Sequence, residues 1–510
     1  MELVYLWVED YKNIKQQGFN FSPKFECSYK DGILNICDKK KKECKNNDYI
    51  ENFFEDKINV TAIVGENGSG KSGILECIEK IILSVGTLKL DNFKYILVYY
   101  DEQPLYVSNI EIDTSIDKET FSDICSLVYK YYVSDDETHQ ARYFSSANLQ
   151  YLTLDKQGIV NILSAKQNSM NSFQISSFMY EPVKIEITLK SYDELVQEHG
   201  KFLDFKKSDE IEKILKAIID PYHRYLSIIY IRQEGLHVVS EILQDKESLK
   251  QNVDSHLSID DFSRFFISVA TTKEYKLSNI SQEQKDIYFH KDYWHYFEFD
   301  FIDEKERRYN HLSHGEKVIF SQLLSIFFYI NANEKLLFLF DEPEIALHPN
   351  WQKQYLNEVI SLLQKIPKKY HFIFTSHSPF LLSDLPKDNV IFLEKDKDGN
   401  CKNARKEVNI NPFGANIHTL LSHGFFMKDG LMGEFAKEKI QNVINFINDK
   451  ESNLKKEEIY PIIELIGEPF LKQKLKEQYF MKYPQERDID VEIDILEKKL
   501  TELKHAKNSK

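Results

Sequence analysis

Apolar and polar positions alternate in different rhythms along the chain. A period of two runs through ELVYLWVED and FNFSPKFECSY near the start, and through YILVYY and VKIEITL further on. Neighbouring side chains on a strand point to opposite faces, so each stretch predicts a strand. INVTAIV is short, apolar and β-branched, a buried strand leading into glycines. Residues 1–190 are therefore expected to be mostly β. From 191 to 285 the rhythm lengthens. SDEIEKILKAIIDPYHRYLSIIYIRQEGLHVVSEIL places apolar residues at helical spacing with a break at Pro221, and predicts a helical insertion. It lacks the sustained heptads of a long coiled-coil arm. The strand rhythm returns in YFEFDFI. A polar knot, NHLSHGEKVIF, then opens an apolar helix. KLLFLFDEPE and HFIFTSHSP read as buried strands separated by a helix, and NVIFLEKDKDGN as the last strand. This alternation predicts an α/β layer with a parallel sheet over 286–412. The tail, 413–510, is expected to be helical, with Ile493, Leu496, Leu500 and Leu503 stepping by three and four along a charged helix.

Composition narrows the options. With 510 residues, 42% of them hydrophobic, the chain can bury a sizeable core in more than one domain. A net charge of −15 gives no overall attraction to phosphate backbones, so contact with nucleic acid needs a local patch or a partner. Lys39 to Lys42 is a candidate patch, but its first reading is a solvated loop. Cys27, Cys37, Cys44, Cys77, Cys125 and Cys401 form no C-x-x-C pair and are expected to be reduced thiols of a cytoplasmic protein. The opening MELVYLWVEDYK reads as a strand rather than a signal peptide. The apolar run Leu323 to Ile330 is far short of the about 20 residues of a membrane span, so no membrane partner is expected.

Three motifs carry chemistry. Gly65-Glu66-Asn67-Gly68-Ser69-Gly70-Lys71-Ser72 fits G-x-x-x-x-G-K-[ST], after a strand and before a helix with Ile74, Ile78, Ile81, Ile82 and Val85 on one side. Glycines let backbone N–H groups turn in around phosphates, and the helix N-terminus adds its positive end. Lys71 would reach the β- and γ-phosphates of ATP, and the Ser72 hydroxyl would ligate Mg2+. The strand Leu336 to Phe340 ends in Asp341-Glu342. Asp341 would hold the Mg2+ shell and Glu342 would polarise the attacking water. One helix and one strand later comes Thr375-Ser376-His377, where a parallel sheet returns to the same edge; His377 could contact the γ-phosphate. The fourth element is the knot Ser313-His314-Gly315-Glu316. Ser313 can cap the buried helix that follows, and a phosphate can complete the same N-terminus. His314 carries less weight, and His348, just past the acidic pair, is a candidate for a subunit contact.

GENGSGKS, LSHGE, LFLFDEPE and TSHS in this order resemble the Walker A, signature, Walker B and switch-histidine elements of ATP-binding-cassette (ABC) ATPases. Within them the chain is similar to the soluble RecF, SMC, Rad50 and OLD-type branch, through the first strand with DYKNI and through DEPEIALHPNWQ. FGANIHTLLSHGFFMKDGLMGEFAKEKI resembles ATPases of defence islands, such as the ATPase subunit of Septu anti-phage systems and retron-associated relatives. The resemblance implies an ABC-ATPase head, a P-loop parallel sheet plus an antiparallel β-lobe, with ATP and Mg2+ as cofactors. It also implies a head homodimer in which Ser313, Gly315 and Glu316 close over the other subunit's nucleotide, and a partner nuclease of HNH type. The family's glutamine loop has no clear counterpart; Gln140, Gln150 and Gln233 are candidates. No Toprim nuclease follows His377, so the chain is not expected to cut nucleic acid itself. The alternatives are a RecF-like DNA-repair ATPase with direct DNA contact, an ATP-stabilised scaffold with little turnover, and a transporter motor.

Overall fold

The computed structural model describes residues 2–41, 44, 49–55, 57–83, 93–118, 128–132, 141–145, 148–152, 180–189, 273–281, 284, 297–332, 335–364, 368–424 and 432–486. They fall into two compact units, residues 1–426 and 427–510.

The first unit is organised by a 13-stranded sheet. At its centre five strands run parallel, in the order Val128–Tyr132, Lys335–Asp341, Lys369–Ser376, Ile58–Gly65 and Val390–Lys395. Antiparallel strands extend both sides. Ala141–Ser145 and Asn148–Leu152 follow on one, while Glu2–Tyr11 pairs antiparallel with Ile14–Asn20 and Tyr95–Asp101 on the other. This is the expected combination of parallel P-loop sheet and antiparallel lobe. Two three-stranded sheets accompany it, one built from Pro182–Leu189, Lys273–Lys276 and Phe297–Asp303. Of the stretch expected to be a helical insertion, 191–285, most lies outside the described residues, and Lys273–Lys276 is a strand. Short polar-apolar alternation in KEYK is too brief to stand out from a helical background. NVIFLEKDKDGN is not the end of the sheet either, because Cys401–Asn403 pairs back on it.

Register explains why alternate residues serve different faces. Leu337 and Leu339 join a core with Ile74, Ile78 and Ile81 of the helix Lys71–Leu83. Phe338 and Phe340 turn the other way and pack with Phe372, which in turn meets Phe374. Each of the three isoleucines is fully buried, worth about 1.5–3 kcal/mol apiece. The helix His314–Ala332 buries Val318, Ile319, Phe320, Leu323, Leu324 and Phe327, as its sequence predicts.

Two expectations from composition are corrected. Cys37 and Cys44 are joined as a disulfide, while Cys27, Cys77 and Cys401 are buried free thiols. The seven-residue spacing matches no common metal pattern, and sequence alone gave no reason to close it. Lys39 is not part of a solvated basic patch. It is 4% exposed and pairs with Asp388, whose other oxygen takes Arg405 at 2.5 Å; Lys40 pairs with Glu51. Burial alone would raise the Asp388 carboxyl, but the two cations outweigh it and hold it low.

In the second unit, helices Glu434–Ile447, Lys456–Leu465 and Pro469–Lys482 pack around Val443, Ile447, Ile459, Ile463, Leu475 and Tyr479. The stripe at 493–503 lies outside the described residues.

Candidate nucleotide site

The site is assembled by strand register. In the parallel sheet Asp341 lies opposite Thr375, Ser376 opposite Val64, and Leu393 opposite Gly65. Four carboxyl ends therefore meet at one edge, where ligands of open α/β sheets bind. The loop Gly65–Gly70 lies there, between its strand and the helix starting at Lys71.

The loop is packed as closely as its glycines allow. A Cβ on Gly65 would stand 2.2 Å from the carbonyl oxygen of Leu393, so only glycine lets the loop leave its strand here. Glu66 accepts a hydrogen bond from the Lys395 backbone N–H at 2.9 Å, and the Asn13 amide donates to the Gly68 carbonyl at 3.0 Å. Asn67 is exposed. Lys71 Nζ donates to the Gly65 and Glu66 carbonyls, each at 3.1 Å. Burial lowers its pKa, and the carboxylates of Glu342, Asp341, Glu344 and Glu66 oppose that shift. Ser69 Oγ is buried without a hydrogen-bond partner.

Ser72 Oγ donates to Asp341 Oδ1 at 3.1 Å, and Thr375 Oγ1 donates to the same oxygen at 2.5 Å. Glu342 follows with φ +49°, a left-handed conformation that costs a non-glycine residue free energy. Two contacts hold it there. Its N–H donates to Thr375 Oγ1 at 2.9 Å, and its Oε1 lies 3.1 Å from His377 Nε2. The His377 hydrogen bond keeps the Glu342 carboxyl below its usual range, against the effect of burial. Behind them Glu344, 3% exposed, accepts from Ser376 Oγ at 2.5 Å and from the His377 N–H at 2.9 Å. Its burial raises its pKa.

Asp341, Glu342 and His377 thus stand together beside Ser72 and Lys71. An orphaned buried hydroxyl, a desolvated ammonium bonded only to carbonyls, and a Ser–Asp oxygen pair fit a nucleotide phosphate with a hard cation such as Mg2+. Thr375 and Glu344 escaped the sequence reading. Their signal was present, as a polar residue inside the apolar run before His377 and a second carboxylate after Asp341-Glu342.

The knot is separate. Ser313 Oγ and N–H donate to Glu316 Oε2 at 2.8 and 2.9 Å, and Glu316 N–H faces Ser313 Oγ at 3.4 Å, the reciprocal arrangement of a capping box. Gly315 is buried against the loop after the acidic strand, where a Cβ would meet the Ala346 carbonyl oxygen at 2.7 Å. Among the described residues no hydrogen bond or ion pair joins 313–316 to 65–72. Ser313, His314 and His348 are exposed. Gln150 lies in a strand of the sheet; Gln140 and Gln233 lie outside the described residues.

Residues 180–383 match the family model described as AAA domain, putative AbiEii toxin, Type IV TA system. That stretch holds the knot, the acidic pair and His377. The retron Vc95 probable ATPase of Vibrio cholerae is 23% identical over 415 residues, 72% of this chain and 75% of its own length. An uncharacterized protein of Methanocaldococcus jannaschii is 30% identical over 71 residues, 14% of this chain and 17% of that protein's length. Among solved structures, the SMC head domain from Thermotoga maritima aligns over 79% of this chain and 97% of its own, at 13% identity and a TM-score of 0.28.

Proposed function

We propose that this chain is an ABC-type ATPase that hydrolyses ATP with Mg2+ at a site shared between two copies, and that it belongs to the soluble SMC, Rad50, RecF and OLD-like branch. The observation that supports hydrolysis is the convergence of Ser72, Asp341, Glu342 and His377 on one sheet edge. Lys71 and the loop amides bind the β- and γ-phosphates. Ser72 and Asp341 would hold the cation, which when bound would draw charge off the phosphate oxygens. Glu342, ionised and fixed by His377, orients the attacking water and accepts its proton.

The finer role we propose is the ATPase component of an anti-phage defence complex that controls a partner nuclease of HNH type. The likeness to the retron ATPase and the defence-island sequence pattern support it. ATP state and nuclease state would then be linked by a coupling free energy of about 1–3 kcal/mol. Of the sequence's candidate patch for direct DNA contact, Lys39 is buried in its pair with Asp388, while Lys40 pairs with Glu51 at the surface. Among the described residues no helix is long and apolar enough to cross a membrane.

Glu342→Gln tests the hydrolytic reading. Turnover is expected to fall by about 10²–10⁴ while ATP binding persists. Equal turnover in the two proteins would remove Glu342 from the mechanism. Affinity purification of the tagged protein tests the defence role. A co-purifying nuclease supports it; repair factors alone, with DNA-stimulated turnover, would replace it with the repair reading.

A further inference from the structure

The capping box poses an electrostatic problem for the knot. Glu316 places a carboxylate on Ser313 and on the N-terminus of the helix His314–Ala332, where an anionic phosphate oxygen would have to arrive. Two like charges cannot share that position without a counter-ion. The structure supplies one. Arg307 Nη1 lies 3.5 Å from Glu316 Oε1, the carboxylate oxygen that Ser313 does not use. The guanidinium is held in place from behind. Its Nε donates to Asp303 Oδ2 at 2.7 Å, and its own backbone N–H donates to Asp303 Oδ1 at 2.8 Å. Asp303 is 3% exposed, and the guanidinium carbon sits 5.8 Å from the centre of the Tyr180 ring. Arginine fits this place because its planar fork can serve two carboxylates at once; a lysine ammonium is a single point charge.

We propose that Arg307 is a positioning residue of the ATPase: it takes the Glu316 carboxylate from Ser313, freeing the hydroxyl and the helix N–H groups for a nucleotide phosphate carried by a second copy of the chain. The inference rests on the reading that the knot meets nucleotide in trans. Glu316 then has two positions, one bonded to Ser313 as a cap and one drawn onto Arg307. In the second position its charge is neutralised as the phosphate approaches. Arg307 touches neither substrate nor cation.

A double-mutant cycle on the full chain tests this, with steady-state ATP turnover, nucleotide binding to the isolated monomer and ATP-dependent dimerisation as readouts. Arg307→Ala is expected to lower turnover and dimerisation at least about tenfold, with monomer binding unchanged. In a Glu316→Gln background there is no carboxylate to remove, and the same substitution is expected to cost less than about threefold. A purely structural role for Arg307, as the partner of buried Asp303, would give the same loss in both backgrounds and would overturn the proposal. So would an unchanged turnover in Arg307→Ala. If the alanine variant does not fold, Arg307→Lys is read in the same cycle, because one ammonium cannot serve Asp303 and Glu316 together. Ser313→Arg separates this from the underlying reading. If it leaves turnover intact, the trans reading of the knot has failed; if it abolishes turnover while the cycle shows no coupling, the Arg307 proposal alone has failed.

Discussion

Replacing Gly315 by alanine tests how the knot is built onto the segment that follows the acidic strand. The added Cβ would stand 2.7 Å from the Ala346 carbonyl oxygen and 3.2 Å from Cζ3 of Trp351. Contacts of this kind settle near about 3.5 Å, so the carbonyl must retreat by most of an ångström. It is backbone and cannot rotate away. The turn it belongs to is tied to the acidic residues, since Ile345 N–H donates to the Glu342 carbonyl and Leu347 N–H to the Glu344 carbonyl. The displacement is therefore passed toward Glu342. Overpacking costs about 1–3 kcal/mol. Alanine in place of glycine in a helix returns up to about 1 kcal/mol, and less in a first turn. The net expectation is a destabilisation of about 1–2 kcal/mol, read by urea unfolding with Trp351 among the fluorescent probes. Turnover should fall by about tenfold or more, because catalytic geometry tolerates little displacement. ATP binding to the P-loop of the monomer should be unchanged. The sign decides the matter. A more stable Gly315→Ala protein with normal turnover would mean that helix propensity governs this position and that the close contact does not.

Three further outcomes follow from the same geometry. Thr375→Val keeps the β-branched shape but removes the donor to Asp341 and the acceptor for the Glu342 N–H. It should cost about 1–3 kcal/mol in denaturant unfolding and lower turnover, and a neutral result would show the hydroxyl to be dispensable. Glu344 has a folded-state pKa above 4.5, so the unfolded chain loses this proton first as pH rises and folding loses stability through that window. Glu344→Gln should therefore flatten the decline in unfolding free energy as pH rises above 4.5; an unchanged slope would show that this carboxyl does not set it. The Glu342→Gln comparison of turnover and binding described above completes the set.

Much of the site was legible in the sequence because its parts are local. A glycine loop between strand and helix, a strand ending in Asp341-Glu342, and a second ending in His377 each announce their own chemistry. Parallel register then brings them together with no further information. What stayed hidden depends on contacts between distant segments. Thr375 acquires its role only by lying opposite Asp341, and Glu344 only by reaching the Ser376 hydroxyl. Lys39 shows the reverse case, the first of four lysines read as a solvated loop, which Asp388, 349 residues away, takes inside. The pair Arg307–Glu316 was invisible for a related reason. Eight residues, with a short turn among them, lie between the two, and helical spacing does not connect them.

The central claim, that the P-loop of one copy works with the knot of another, is tested most directly by mixing two inactive proteins. Lys71→Ala lacks a working P-loop, and Ser313→Arg lacks a working knot; each alone is expected to be inactive. A mixed dimer holds one intact pair, Lys71 from one chain facing Ser313 from the other. With free exchange, the equimolar mixture should recover about a quarter of wild-type ATP turnover, since about half the dimers are mixed and each has one good site of two. A mixture as inactive as its components, in which mixed dimers are shown to form, would contradict the shared site.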